Sequence, residues 1–199
     1  MLLDDKLTWS KHVAHVKSKI SKVLGIFSKI KCKLNSQILK LLYNTMFLPY
    51  INYCSEVWGS SCAKNVNTIF ILQKRAVRLI CNTSPRAHTH SFFCNLKILK
   101  FEDLVQLKIS HIIHKVKLHN LPPNIVNLLN LTIVNSHNTR NCSNYAHKYC
   151  RTNVKANCIS VRGVVLYNNL SNYICTSKSN NQFKKRYKRY IFDSYNNHV

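Results

Sequence analysis

The chain has 199 residues, 46% of them hydrophobic, which suits one ordinary domain or two small ones around a buried core. Thirty Lys and Arg against six Asp and Glu leave a net charge of +24, and a protein this basic repels itself unless an anionic partner is present. The balance points to nucleic acid first and an anionic membrane surface second, and it argues against chemistry that needs several converging carboxylates.

At the N-terminus, MLLDDKLTW places two aspartates where an export signal needs a basic region followed by an apolar run. No uninterrupted apolar stretch approaches the ~18–20 residues of a membrane span, so no membrane partner is expected. The nine cysteines are odd in number and scattered. They read as reduced thiols of an intracellular protein, nuclear or cytoplasmic.

The first predicted helix runs from Ser10 to Leu34. Val13, Val16, Ile20, Val23, Phe27, Ile30 and Leu34 alternate spacings of three and four, a heptad seam that packs lengthwise on another helix. The opposite face carries Lys11, His15, Ser18, Lys22, Lys29 and Lys33, a basic stripe with almost no acids to balance it. A second helix is expected after Asn35 or Ser36, either of which caps it, and it continues through QILKLLYNTMF. Pro49 has no amide donor, so the helix should break or kink there. Beyond it, Phe47, Tyr50, Cys54 and Trp58 are expected to share one face, with Gly59 as a stop.

A third helix, roughly 66–81, buries Ile69, Leu72, Ala76, Leu79 and Ile80 and turns Lys74, Arg75 and Arg78 outward. NTSPRAHTHSFF reads as a loop. A fourth helix, about 101–118, carries Leu104, Leu107, Ile112 and Val116, and LPP at 121–123 stops it. The stretch to about Asn157 is weakly patterned. CISVRGVVLYNNL, rich in Val and Ile, looks strand-like. The last segment returns to helical spacing through Phe183, Tyr187 and Ile191. It carries Lys184, Lys185, Arg186, Lys188 and Arg189 interleaved with aromatics, a composition suited to backbone phosphates and exposed bases. The expected fold is mainly α: a helical bundle over 1–120, then a loop-rich region over 121–199 with a short strand-like segment and a basic C-terminal helix.

Asp4/Asp5 and Glu102/Asp103 are the only adjacent acids. The first pair precedes any core, and the second sits where acids favour a helix start. Cys142, Cys150 and Cys158 lie eight apart, which is no standard zinc spacing, while His111/His114 and His12/His15 read as partly exposed helix residues. No metal site and no catalytic residues are assigned. Glu56 is the lone acid between Asp5 and Glu102 and is expected to pair with a basic side chain, Arg75 or Arg78.

Taken in order, these segments resemble one family. LDDKLTWSKHVAHVKSKISKVLGIF, LYNTMFLPYINYCSEVWGSS, LQKRAVRLIC and RAHTHSFFCNLKIL look like the part that follows the polymerase palm in reverse transcriptases of non-LTR retrotransposons, the jockey-like group. HNTRN, SVRGVVLYNNL and FKKRYKRYI resemble the tail of the same proteins. Asp4, Leu7 and Trp9 match the family's D-x-x-L-x-W. Pro49, Tyr50, Tyr53, Cys54, Val57, Trp58 and Gly59 match its PYLxYCxxVWG, and Gln73, Lys74, Ala76, His88 and Thr89 match later elements.

The resemblance implies a thumb, a helical bundle that grips the template–primer duplex, with RNA and DNA as partners through their backbones. It also implies that the catalytic aspartates and their Mg belong to a palm upstream of Met1, so this chain holds no cofactor and does not polymerise alone. The aromatic cluster then reads as a packing joint of Pro49, Tyr50, Tyr53, Cys54, Trp58 and Gly59. The rival readings are a repurposed basic nucleic-acid-binding or interaction protein without enzymatic activity, pairing with a partner helix through its seam, and an independent enzyme built on the Cys/His set. Oligomeric state is not legible in the sequence.

Overall fold

A computed structural model describes residues 1–133 and 145–196. HNTRN (137–141) and Cys142 lie outside the described residues. The described chain is helical, with no strand and one isolated antiparallel bridge between Ile133 and Tyr145. The mainly-α expectation holds. The chain forms two compact units, Met1–Leu104 with Ile191–Val199, and Val105–Tyr190.

In the first unit, α1 (Ser10–Ile30) buries Val13, Val16, Ile20, Val23, Leu24 and Phe27. It lies along α5 (Ala63–Ile80), so the heptad seam is covered by the chain's own helix. α1 stops four residues short of the expected end because Asn35 takes an extended backbone and caps the next helix, accepting from Ile38 N–H at 2.9 Å. That helix, α2 (Ser36–Leu42), runs into a π turn at Tyr43–Phe47 and then α3 (Leu48–Asn52).

Pro49 has no N–H to return to Thr45, and the chain answers with a wide turn in which Leu48 N–H reaches Tyr43 O. Pro49 therefore sits in the first turn of α3. The full break comes later, at Tyr53 (ψ 115°) and Cys54 (φ 48°), ahead of the short α4 (Ser55–Trp58). This corrects the single aromatic face expected of Phe47, Tyr50, Cys54 and Trp58. Phe47 and Trp58 are buried, Cys54 is half-buried and Tyr50 is exposed. Gly59 ends α4 with φ −71°, an ordinary value that requires no glycine.

α5 buries Ile69, Leu72, Ala76, Val77 and Ile80, while Leu79 is only half-buried. The loop read into NTSPRAHTHSFF ends early. α6 (His90–Leu96) begins inside it, anchored by fully buried Phe93, which stacks with Phe70 at 6.1 Å.

α7 (Phe101–Lys117) confirms the fourth helix and part of its face. Leu107 and Val116 are buried as expected, Leu104 and Ile112 are half-buried, and Val105, Ile109, Ile113, His111 and His114 share the interior. The division between units falls within α7 and again within α12 (Asn180–Asn196).

The second unit also holds α8 (Pro123–Leu129), which starts at the proline pair expected to stop the preceding helix, and the short α9 (Asn153–Ala156). α10 (Ile159–Asn168) overturns the strand reading of CISVRGVVLYNNL. Val161, Val164 and Tyr167 are buried at helical spacing, and Gly163 lets α10 approach α7. A Cβ there would meet Ile113 at 3.0 Å and Ile109 at 3.2 Å. A short buried helix rich in Val and Ile carries the same composition as a strand, and packing decides between them. α11 (Asn172–Cys175) leads into α12, whose Phe183, Tyr187 and Ile191 are buried as the spacing predicts, with Tyr195 buried one turn further on.

Candidate nucleic-acid interface

On α1, Lys11, Lys22 and Lys29 are exposed along one stripe opposite the seam, and Lys33 continues it beyond the helix end. Lys19, passed over in the sequence, is exposed one turn before Lys22. On α5, Arg75 is exposed. Lys74 is half-buried, with its ammonium 4.2 Å from the Phe70 ring centroid, and Arg78 gives its Nε–H to the Ala87 carbonyl at 2.9 Å. Arg78 is therefore committed to holding the turn after α5. Both rows belong to the first unit.

The α12 cluster divides in a similar way. Lys184, Lys185, Lys188 and Arg189 are exposed, but Arg186 is half-buried. Its guanidinium lies 4.1 Å from the Tyr173 ring centroid and donates to the Tyr173 carbonyl. Two of the interleaved aromatics are unavailable to bases. Phe183 stacks on His114 at 4.3 Å, and Tyr187 packs against Phe183 at 5.8 Å. Tyr190 is 50% exposed and Tyr173 56% exposed. Tyr173 carried no signal in the sequence, because its role comes from the Arg186 side chain brought to it by the fold.

Asp4 and Asp103 have structural duties. Asp4 folds the approach to α1, accepting from the backbone N–H groups of Thr8 and Trp9, each at 2.9 Å, and from the Thr8 hydroxyl. The Thr8 hydroxyl bond is the largest influence holding the Asp4 carboxyl below its usual range. Asn65 secures the same turn through the Thr8 carbonyl at 3.0 Å. Asp103, in the first turn of α7, accepts from the Tyr195 hydroxyl, and burial is the main influence raising its carboxyl. His90 and Lys100 complete this contact, with His90 Nε2 2.9 Å from the Tyr195 carbonyl and the Lys100 ammonium 4.3 Å from its ring. Among the described residues no three His, Cys, Asp or Glu side chains gather where they could hold a metal. The carboxylates here do not fit the Mg centre of a polymerase palm.

The aromatic segment splits between interior and surface. The Trp58 indole donates to the Tyr53 carbonyl at 2.8 Å, stacks on Phe101 at 5.3 Å and meets the His12 ring edge-on at 5.3 Å. Trp58 and Gly59 are buried, Cys54 is half-buried, and Pro49, Tyr50 and Tyr53 are exposed. His111 and His114 are buried rather than partly exposed, each with Nε2 lacking a partner, and His114 Nδ1 lies 3.1 Å from the Tyr167 hydroxyl.

No helix among the described residues is long and apolar enough to cross a membrane. No family model matches the chain, and no solved structure matches it. Two curated relatives do. A probable RNA-directed DNA polymerase from transposon X-element of Drosophila melanogaster is 27% identical over 85 residues, 40% of this chain. The RNA-directed DNA polymerase from mobile element jockey of the same organism is 26% identical over 113 residues, 52% of this chain. This chain is similar to the RNA-directed DNA polymerases of non-LTR retrotransposons. The similarity to these reverse transcriptases covers about half of it, and the aligned parts are 9% and 12% of the relatives' own lengths.

Proposed function

We propose that this chain is the nucleic-acid-gripping, non-catalytic part of a retrotransposon reverse transcriptase, acting on an RNA–DNA hybrid in the nucleus or cytoplasm. In this reading residues 1–120 carry the thumb-like grip and 121–199 add a basic tail. The carboxylates that hold catalytic Mg are supplied by sequence outside this chain. The observation that carries the reading is the exposed lysine stripe of α1, Lys11, Lys22 and Lys29, continued by Lys33 past its end, on a helix whose apolar side is fixed against α5. A rigid row of ammonium groups along one helix face suits the regular phosphates of a duplex and reads no sequence. The similarity to two RNA-directed DNA polymerases supplies the class of nucleic acid.

The rival reading, pairing with a partner helix through the seam, loses its surface because Val13, Val16, Ile20, Val23 and Phe27 are already buried. Binding of a labelled hybrid tests the proposal, with Lys11, Lys22, Lys29 and Lys33 changed together to Gln. Each phosphate contact removed should lower the slope of log affinity against log salt by about one. A quadruple variant that folds and binds with the wild-type slope would remove α1 from the interface.

A further inference from the structure

Tyr173, Arg186 and Tyr190 make a feature that a phosphate-gripping helix does not need. α12 is fixed in rotation by its buried Phe183 and Tyr187, and that register puts Arg186 and Tyr190 one turn apart on the same side. Arg186 is not a loose cation. Its guanidinium is stacked 4.1 Å from the Tyr173 ring centroid, anchored on the Tyr173 carbonyl and within 3.5 Å of the Ser177 hydroxyl. Tyr173 and Tyr190 nonetheless keep half or more of their surface open, and Lys185 and Arg189 stand exposed beside them.

Two exposed rings, a guanidinium held over one of them and adjacent ammonium and guanidinium charge are the parts of a stacking platform for unpaired bases. Duplex phosphates call for charge alone, because paired bases present no open face.

We infer that the Tyr173–Arg186–Tyr190 surface binds single-stranded nucleic acid by stacking its bases, with Lys185 and Arg189 engaging the flanking phosphates. This rests on the nucleic-acid reading above and deepens it by naming the strand state. The preference among bases is weak, since every base has a π face. Tyr187 takes no part.

The test compares the full-length chain on labelled oligo(dT), on an abasic oligonucleotide of the same length and charge, and on a hybrid duplex at one salt concentration. The expected result is tighter binding of oligo(dT) than of the abasic strand, by about tenfold per stacked base. Tyr190→Ala should remove that advantage in part while leaving abasic and duplex binding unchanged. Tyr190→Phe, which keeps the ring, should retain it. Tyr173→Ala also removes the seat of Arg186, so its circular-dichroism spectrum is compared first, and Tyr190→Ala carries the test if Tyr173→Ala unfolds. Equal affinity for oligo(dT) and the abasic strand in the wild type would overturn this inference and leave phosphate binding standing. Tyr190→Ala losing both strands equally would overturn it too. No binding to any of the three ligands would defeat the nucleic-acid reading itself.

Discussion

The side-chain carbonyl of Gln73 accepts the Phe101 backbone N–H at 2.8 Å. Its amide donates to the Leu99 carbonyl at 2.8 Å and the Tyr43 hydroxyl at 2.9 Å. One fully buried side chain from α5 thus joins the π turn to the start of α7. Burial pushes the Tyr43 phenol well up, so it stays a neutral acceptor here at any ordinary pH. Gln73→Met keeps the volume but leaves three buried polar groups without partners, each costing about 1–3 kcal/mol. The expected outcome is a loss of about 3 kcal/mol or more in denaturant unfolding, with the helix content of the surviving folded fraction unchanged.

Trp58 is the companion joint, held by its indole bond to Tyr53 and its stack on Phe101. Trp58→Ala should cost about 3–5 kcal/mol and abolish the cooperative thermal transition before it alters binding. Trp58→Phe keeps a ring against Phe101, loses one hydrogen bond, and should cost about half as much. A Trp58→Ala protein with a wild-type transition but no nucleic-acid affinity would refute the packing role.

Two glycines in helix interiors give opposite expectations. Gly25 on α1 is exposed, and a Cβ there meets nothing within 4 Å. Gly25→Ala should therefore stabilise by about 0.5–1 kcal/mol by lowering the entropy of the unfolded chain. Gly163 faces Ile113 and Ile109, both β-branched and stiff. Gly163→Val should destabilise by about 2 kcal/mol through overpacking. Thermal melts of the two variants moving in the same direction would contradict this contrast.

Much of this was legible in the sequence where one interaction dominates. The seam of α1 and the Phe183–Tyr187–Ile191 face of α12 show because apolar side chains recur at strict spacing. Only part of the α7 face shows in the sequence, through Leu107 and Val116, because Ser110, His111 and His114 occupy interior positions that hydropathy assigns to solvent. The helix of α10 is hidden because its close approach to Ile109 and Ile113 of α7 at Gly163 is absent from local sequence. The basic rows were visible as composition. That Arg78 and Arg186 serve internal carbonyls, and that Tyr173 sits under Arg186, depends on chain segments meeting in space.

The buried histidines of the second unit set an acid limit on stability. Burial is the main influence lowering both, helped by Lys184 and Lys115 beside His111 and Lys117 beside His114, and His111 is brought down to about 4. Asn180 beside it opposes the shift of His111. The unfolded chain takes up these protons near pH 6.5 while the folded chain does not. Their contribution is therefore fully present above pH 6.5 and is lost as pH falls toward about 4. Urea midpoints should be level from pH 7 to 8 and drop steadily below 6.5, and His111→Gln should flatten that drop. A midpoint that rises on acidification would contradict the burial of these rings.

The most direct test of the central claim is the affinity of the full-length chain for an RNA–DNA hybrid across a salt series, with circular dichroism confirming a helical fold at each point. If the chain contacts some six phosphates, log affinity falls with log salt at a slope of about −5. A folded protein with a slope near zero, or with no affinity at low salt, would contradict the account.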